Sequence, residues 1–321
     1  MVINTRTLFR SQWFFLLLVV IVISVVTAAV NPRYLNVSNI VSILEQISVL
    51  GLVASGATIL IVSGNFDISV GAAVGLASCV MAMLMKNDVS VAQAVCAGLC
   101  VAVGCGVFVG GASILLKAPS FIVSLACIGI FKGVSLALTD GTIQTVYGKF
   151  ETLGATRFFD LIPLLFLLSL GGYFAVHFML TYTRLGRRVY SIGSNPRAAY
   201  LAGISVNRNK LVFFALNGLF VGAAAVLLLS RVGSAAPSSG SGIELQAIGA
   251  VVIGGAPMSG GKGKIVGTFL GVLLMGVIAN VLNMLRVNPY FQEIAFGLLI
   301  LAALAVSLLS QRKRGSGQAA A

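Results

Sequence analysis

The chain has 321 residues, 58% of them hydrophobic and only 9% charged, with a mean hydropathy of +1.05. A soluble domain carries about 25% charged residues, so this composition excludes a soluble enzyme or carrier and indicates an integral membrane protein. The net charge of +13 does not point to nucleic acid, because the cations stand singly between apolar runs of about 20 residues, each long enough to cross a bilayer as a helix.

At the N-terminus, Arg6 and Arg10 precede an unbroken apolar run from Trp13 to Val26. That run exceeds a signal-peptide core of about 7 to 15 residues, so Trp13 to Val30 is expected as a first membrane helix that stays attached. Further apolar runs, bounded by charge, Pro or Gly, predict helices near 40–62, 70–86, 91–116, 120–138, 161–180, 211–230, 243–257, 265–287 and 291–310. The fold class expected is all-α: a polytopic transmembrane helix bundle of about ten spans, one domain over 1–310, with 311–321 as a cytoplasmic tail. The span at 243–257 is short and carries Glu244 and Gln246 at one end; a re-entrant element there leaves an odd count.

Alternation from a cytoplasmic N-terminus sorts the cations. On the inside fall Arg6, Arg10, Lys117, Arg184, Arg187, Arg188, Arg197, Arg208, Lys210, Lys262, Lys264, Arg312, Lys313 and Arg314. On the outside fall Arg33, Lys86, Lys149, Arg157, Arg231 and Arg286, with Lys132 inside a span. The excess favours both termini in the cytoplasm, and one miscounted span would put the basic tail and the basic 181–210 segment on opposite faces.

Small-xxx-small pairs recur at Gly71/Gly75, Gly106/Gly110, Gly129/Gly133, Gly218/Gly222 and Gly267/Gly271. Such pairs let helix backbones approach closely in lipid. Cys79, Cys96, Cys100, Cys105 and Cys127 all lie in apolar stretches without His or carboxylate at ligand spacing, so they are read as packing residues and no metal site is expected.

Polar residues interrupt the apolar pattern twice. In Ser63-Gly64-Asn65-Phe66-Asp67-Ile68-Ser69-Val70-Gly71, capping-type residues at 65, 67 and 69 let the chain break and restart as a helix, with Asp67 or Ser69 capping its first turn. Two readings stand: a tight cytoplasmic turn, or a discontinuous element lining a pathway or gate. Asn65, Asp67 and Ser69, with Glu244 and Gln246 of the short span, are the pathway or gate candidates. The second interruption, Ile253 to Lys264, is rich in Gly, yet Ala256 and Gly263 stand where a Walker A loop requires Gly and Ser or Thr. It reads as a flexible cytoplasmic turn, not a nucleotide site.

Between Thr181 and Lys210 six cations occur without an Asp or Glu. Inside this segment, Asn195-Pro196-Arg197-Ala198-Ala199-Tyr200-Leu201-Ala202-Gly203 has an Asn cap, Pro at the first helical position and Gly past the end, predicting a two-turn helix. Arg197 is expected on the solvent side, with Ala198, Leu201 and Ala202 able to pack into a groove. Elsewhere Glu45, Gln46, Lys132, Asn217, Asn280, Asn283, Gln292 and Glu293 read as interhelical hydrogen-bonding groups or helix-end residues, and His177 as a packing residue in the core or at the lipid interface. No catalytic constellation and no relay of intramembrane acids occurs, which suits an uncharged polar substrate.

Four ordered blocks carry a family resemblance. Gly64-Asn65-Phe66-Asp67-Ile68-Ser69-Val70-Gly71, Pro119-Ser120-Phe121-Ile122-Val123-Ser124-Leu125, Gly193-Ser194-Asn195-Pro196-Arg197-Ala198-Ala199 with Gly203-Ile204, and Glu244 to Gly255 with Gly260-Gly261-Lys262-Gly263 resemble signature elements of the permease subunits of bacterial ABC importers for ribose, galactose, xylose and related sugars. Asn65, Phe66 and Gly249 depart from the usual residues. The resemblance implies a multi-pass protein of the bacterial inner membrane without a cofactor of its own. Its implied partners are ATP-binding subunits, an extracytoplasmic sugar-binding protein and a second permease, identical or paralogous. It implies that Asn195, Pro196, Arg197, Ala198, Ala199 and Gly203 form the ATPase-coupling element. An amino-acid ABC permease shares the broader architecture, and an ion-coupled secondary transporter with broken elements near Asp67 and Gly254 is the reading from a different class.

Overall fold

The structure, a computed structural model, describes residues 12–318; Arg6 and Arg10 lie outside the described residues. Among the described residues, seven helices are long and apolar enough to cross a membrane: α1 (Gln12–Val30, from Trp13), α2 (Val37–Val62), α4 (Val91–Leu115), α5 (Ser120–Thr139), α7 (Leu164–Tyr182), α10 (Val206–Val232) and α12 (Ile265–Met284). Shorter apolar helices are α3 (Val70–Lys86), α11 (Ile243–Ile253) and the first half of α13 (Pro289–Gln318). Every run expected from the apolar pattern coincides with one of these ten elements. The remaining helices are polar or short: α6 (Thr152–Ala155), α8 (Arg184–Ser194) and α9 (Pro196–Leu201).

Local chemistry explains where the chain breaks. Ser90, Thr183 and Asn195 cap α4, α8 and α9 by accepting from the amides of Gln93, Gly186 and Ala198. At the end of α2, Gly64 takes a φ of +78°, and the Asn65 amide reaches back to the Leu60 carbonyl at 2.9 Å. This is the left-handed stop that Gly makes available.

α2 is the enclosed centre of the bundle, buried almost without interruption from Ile47 to Val62, and α10, α7, α11 and α12 pack around it. α10 meets α4 backbone to backbone: a Cβ on Gly218 would stand 2.5 Å from the Ala102 carbonyl, and one on Gly106 2.3 Å from that of Phe214. Without hydrophobic force between helices in lipid, such close packing supplies the association. Gly129 and Gly133 differ from the other expected pairs, since nothing lies within 4 Å of a Cβ added at either. They belong to the outward face of α5, which also exposes Lys132.

Outward faces carry Phe15, Leu18, Ile122, Leu125, Phe174 and Phe178, an apolar girdle suited to lipid. Cys79, Cys105 and Cys127 are buried as expected, whereas Cys96 and Cys100 are exposed. The packing role holds for the first three; the helix face shared by Cys96 and Cys100 is an outer one.

The loops gather at two ends. At one, β1 (Gln144–Thr145) pairs antiparallel with β4 (Ser234–Ala235), and β2 (Arg157–Phe158) with β3 (Ile162–Pro163). There Lys149 meets Asp88 at 2.6 Å, and Glu45 stands 3.5 Å from Arg157 and 3.4 Å from Arg231. At the other end lie the C-terminus of α2, the helices α8 and α9, and the Gly-rich loop 254–264, where Gly261 donates to the Val62 carbonyl at 2.8 Å.

Candidate functional site at the meeting of two interrupted helices

Residues 63–69 leave the end of α2 and run inward before α3 begins. Their backbone is not helical, so its amides need other partners in an apolar interior. Two serines one turn apart on α5 supply them: Ser120 Oγ accepts from the Phe66 amide at 3.0 Å and Ser124 Oγ from that of Ile68 at 3.1 Å.

Asp67 is buried at the turn of this segment. Its Oδ1 accepts from the amide and the hydroxyl of Ser69, and its Oδ2 accepts from Asn217 Nδ2 of α10 at 3.1 Å. Neither Asp67 nor Ser69 caps the first turn of α3 as expected, because Ser69 makes no side-chain cap bond and Asp67 is taken up by Ser69 and Asn217. A buried carboxylate with three donors is held in one place. Removing one donor costs about 1–3 kcal/mol.

From the opposite end, residues 236–242 run back down α3 in non-helical conformation. A Cβ on Gly75 would lie 2.8 Å from the Pro237 carbonyl, and one on Gly71 would lie 2.5 Å from that of Gly240. The chain passes 237 beside 75 and 240 beside 71, so the two segments are antiparallel. α11 then starts at Ile243 and continues toward the end that holds Val62 and Gly261. α3 runs the other way, toward Lys86 and its partner Gln144. Two broken helices thus begin beside each other inside the bundle and diverge.

Glu244 stands in the first turn of α11 at this meeting point. Its Oε1 accepts from the Gly242 amide at 3.2 Å, while Oε2 is buried, without a hydrogen-bond partner, and directed at Gly71. Glu293 of α13 lies within electrostatic reach. Of the five pathway candidates, the structure therefore brings Asp67 and Ser69 together and sets Glu244 against the start of α3. Asn65 is turned back onto Ser63, and Gln246, partly buried, joins neither group. Among the described residues, no group of three His, Cys, Asp or Glu side chains could hold a metal.

The 181–210 segment forms two helices, not one. Amphipathic α8 precedes α9, and its missing signal was the cap Thr183 followed by Leu185, Val189 and Ile192, spaced for one helical face, with Val189 and Ile192 buried. α9 has the expected cap and bounds to within a residue: Asn195 Oδ1 accepts from the Ala198 amide at 3.0 Å, and Gly203 closes the turn at φ +82°. Arg197 is exposed, and so are Ala198, Leu201 and Ala202, while Ala199 is the buried one. Ala199 packs α9 onto this chain, and Ala198, Leu201 and Ala202 remain on its outer surface.

Just before α9, four glycines from three separate parts of the chain converge. A Cβ on Gly193 would stand 1.9 Å from the Val62 carbonyl and 2.7 Å from the Gly261 amide nitrogen, and Gly260 packs on Gly64. Tyr190 of α8 adds a hydrogen bond to the Gly263 carbonyl at 2.8 Å; burial pushes its phenol up, so it remains the donor. α8 and α9 are thereby locked onto the break that carries Asp67.

Residues 39–304 match the family described as branched-chain amino acid transport system / permease component. The chain is 37% identical to the ribose import permease protein RbsC of Bacillus subtilis (strain 168), covering 91% of this chain and 90% of the relative. It is 32% identical to RbsC of Escherichia coli (strain K12), over 95% and 97%, and 35% identical to the D-allose transport system permease protein AlsC of the same strain, over 92% and 90%. No solved structure matches the chain. The interrupted helices and the membrane-length apolar helices define a multi-pass membrane transport protein. The chain belongs to the branched-chain amino acid transport system / permease component family.

Proposed function

We propose that this chain is the permease subunit of an ATP-driven ABC importer of the bacterial inner membrane, translocating a neutral monosaccharide delivered by a binding protein. The relatives named for ribose import and D-allose transport support the substrate class. The observation that carries the mechanism is the contact of Gly193 with Val62 and Gly261, which joins a capped helix on the polar surface to the buried Asp67 break.

In this reading the chain crosses the membrane ten times, with α3 and α11 each completed by the non-helical stretch before it. Both termini, α8, α9 and the 254–264 loop face the cytoplasm, consistent with the positive residues gathered at that end. α9 receives the ATPase subunit through exposed Tyr200 and Leu201, with Arg197 beside them and Asn195, Pro196, Ala199 and Gly203 holding the helix in shape. Movement of α9 shifts the α2 terminus and residues 63–69, opening or closing the meeting point of α3 and α11. The opposite end receives the binding protein, and a second permease completes the path.

Uptake into proteoliposomes holding the permease, its ATPase subunit and its binding protein tests the reading. ATP-dependent uptake of a monosaccharide such as ribose, absent without the ATPase subunit, is expected; uptake that persists without it contradicts the proposal. The meeting of two helix N-termini beside Asp67 and Glu244 is also an arrangement used in ion-coupled transport. Uptake abolished by an ionophore yet indifferent to ATP depletion decides for that alternative, and ATP-dependent uptake of leucine in place of the sugar decides for an amino-acid permease.

A further inference from the structure

Where α7 ends, α8 passes and α12 begins, a cavity of about 330 Å³ opens away from the transport site. Its polar side is formed by His177, Thr181, Tyr190 and Lys264, and its apolar side by Leu180 and Ile265. Three observations give it a charge preference. Lys264 makes no salt bridge among the described residues and rests over the Trp13 ring at 5.1 Å. Residues 177–210 and 254–267 contain no Asp or Glu, so every formal charge around the opening is positive. At the start of α12 the amides of Ile265 and Val266 precede the first helical bonds, which Gly267 and Thr268 make to the Lys264 carbonyl, and Lys264, in the N-cap position, gives them no side-chain cap bond.

The surroundings are those of a bilayer rim. The rings of His177 and Phe178 each pair with that of Tyr182 at the end of α7, followed at once by Arg184, Arg187 and Arg188 of amphipathic α8. Aromatic rings at headgroup level and basic side chains beyond them mark a helix end at the membrane surface. A ligand entering here meets a cation and hydroxyls at one level and Leu180 and Ile265 at the next.

We propose that this cavity binds the phosphate and glycerol of an anionic phospholipid, with Lys264 and His177 at the phosphate and the start of an acyl chain against Leu180 and Ile265. The site is separate from the residues assigned to transport and coupling. It is nevertheless close to them, because Tyr190 lines the cavity and also binds the Gly263 carbonyl. A bound lipid braces α8 against the glycine loop.

Trp13 is the single tryptophan of the chain, and its stacking on Lys264 makes it a built-in reporter. The full chain is reconstituted into phosphatidylcholine vesicles containing a fixed fraction of either brominated phosphatidylglycerol or brominated phosphatidylcholine, and Trp13 quenching is normalised to unbrominated vesicles. Quenching at least twofold stronger by phosphatidylglycerol is expected. Lys264→Gln, and separately His177→Gln, which leaves the Trp13 contact intact, are expected to bring the two lipids to parity. Equal quenching by both lipids in the unmodified protein overturns the proposal, as does a preference that survives both substitutions. Loss of the preference on adding soluble glycerol 1-phosphate at millimolar concentration overturns the lipid assignment in favour of a free phosphate ligand.

Discussion

Gly193 and the carbonyl of Val62 touch so closely that a Cβ on Gly193 would stand 1.9 Å from the oxygen. The contact lies between the segment leading into α9 and the last residue before the Asp67 break. Backbone touching backbone leaves no flexible side chain to absorb displacement, so movement on one side is passed to the other.

Gly193→Val tests that contact. Overpacking against backbone costs about 1–3 kcal/mol or more, and here the α2 terminus and Gly261 must part to admit the side chain. Membrane insertion is expected to survive, with uptake falling at least tenfold and the thermal midpoint dropping. Uptake within twofold of the unmodified protein would show that the contact transmits nothing.

At the buried acid, two substitutions should separate. In Asp67→Asn the new amide would face the Asn217 amide donor to donor, but Asn217 Oδ1 is buried and unpartnered, so a flip of the Asn217 amide restores the bond. A loss below about 1 kcal/mol follows, whereas Asn217→Ala leaves an acceptor of Asp67 unpaired and costs about 1–3 kcal/mol. Thermal unfolding of the two variants in detergent, measured side by side, checks the order; a reversed order contradicts the hydrogen-bond assignment.

Gly71→Ala addresses the junction itself. The added Cβ would meet Glu244 Oε2 and lie 2.5 Å from the Gly240 carbonyl, forcing the two helix starts apart. Uptake should be lost, and Glu244→Gln in the same chain should not rescue it, because the Gly240 backbone still obstructs. Rescue by Glu244→Gln would mean that the side chain alone sets the spacing.

pH enters through Asp88, whose carboxyl the Lys149 ammonium beside it holds below the usual carboxylate range. A depressed folded value means that its contribution is present above the unfolded value of about 3.9 and is lost as pH falls through the folded one. Both groups are exposed, and exposed pairs contribute little. Thermal stability is therefore expected to be the same for Asp88→Asn and the unmodified chain from pH 5 to pH 8; a separation of the two curves in that range would contradict it.

Much of this was legible from residue pattern. The apolar runs located every long helix, and Asn195, Pro196 and Gly203 fixed α9 because capping chemistry is local. Ser63-Gly64-Asn65 announced the first break. The paths of 236–242 beside α3 and of Gly193 onto Val62 were not legible, since a glycine's meaning there depends on what stands opposite it in space. The same reason hid the roles of Ser120 and Ser124, whose four-residue spacing was visible but whose acceptor role needed the position of residues 66 and 68. Asn217 read as a generic interhelical residue until Asp67 was placed beside it. α8 was masked by its charges, although Val189 and Ile192 carried the helical spacing.

In the proposed function, α9 receives the ATPase subunit. Leu201 is 79% exposed whereas Ala199 is 4% exposed, so Leu201→Asp alters the outward face without disturbing the fold, which Ala199→Asp would not allow. The direct measurement is monosaccharide taken up per ATP hydrolysed, in proteoliposomes containing the permease, its ATPase subunit and its binding protein. The expected result for Leu201→Asp is normal insertion and a ratio reduced at least tenfold. An unchanged ratio at unchanged uptake would contradict the assignment of α9.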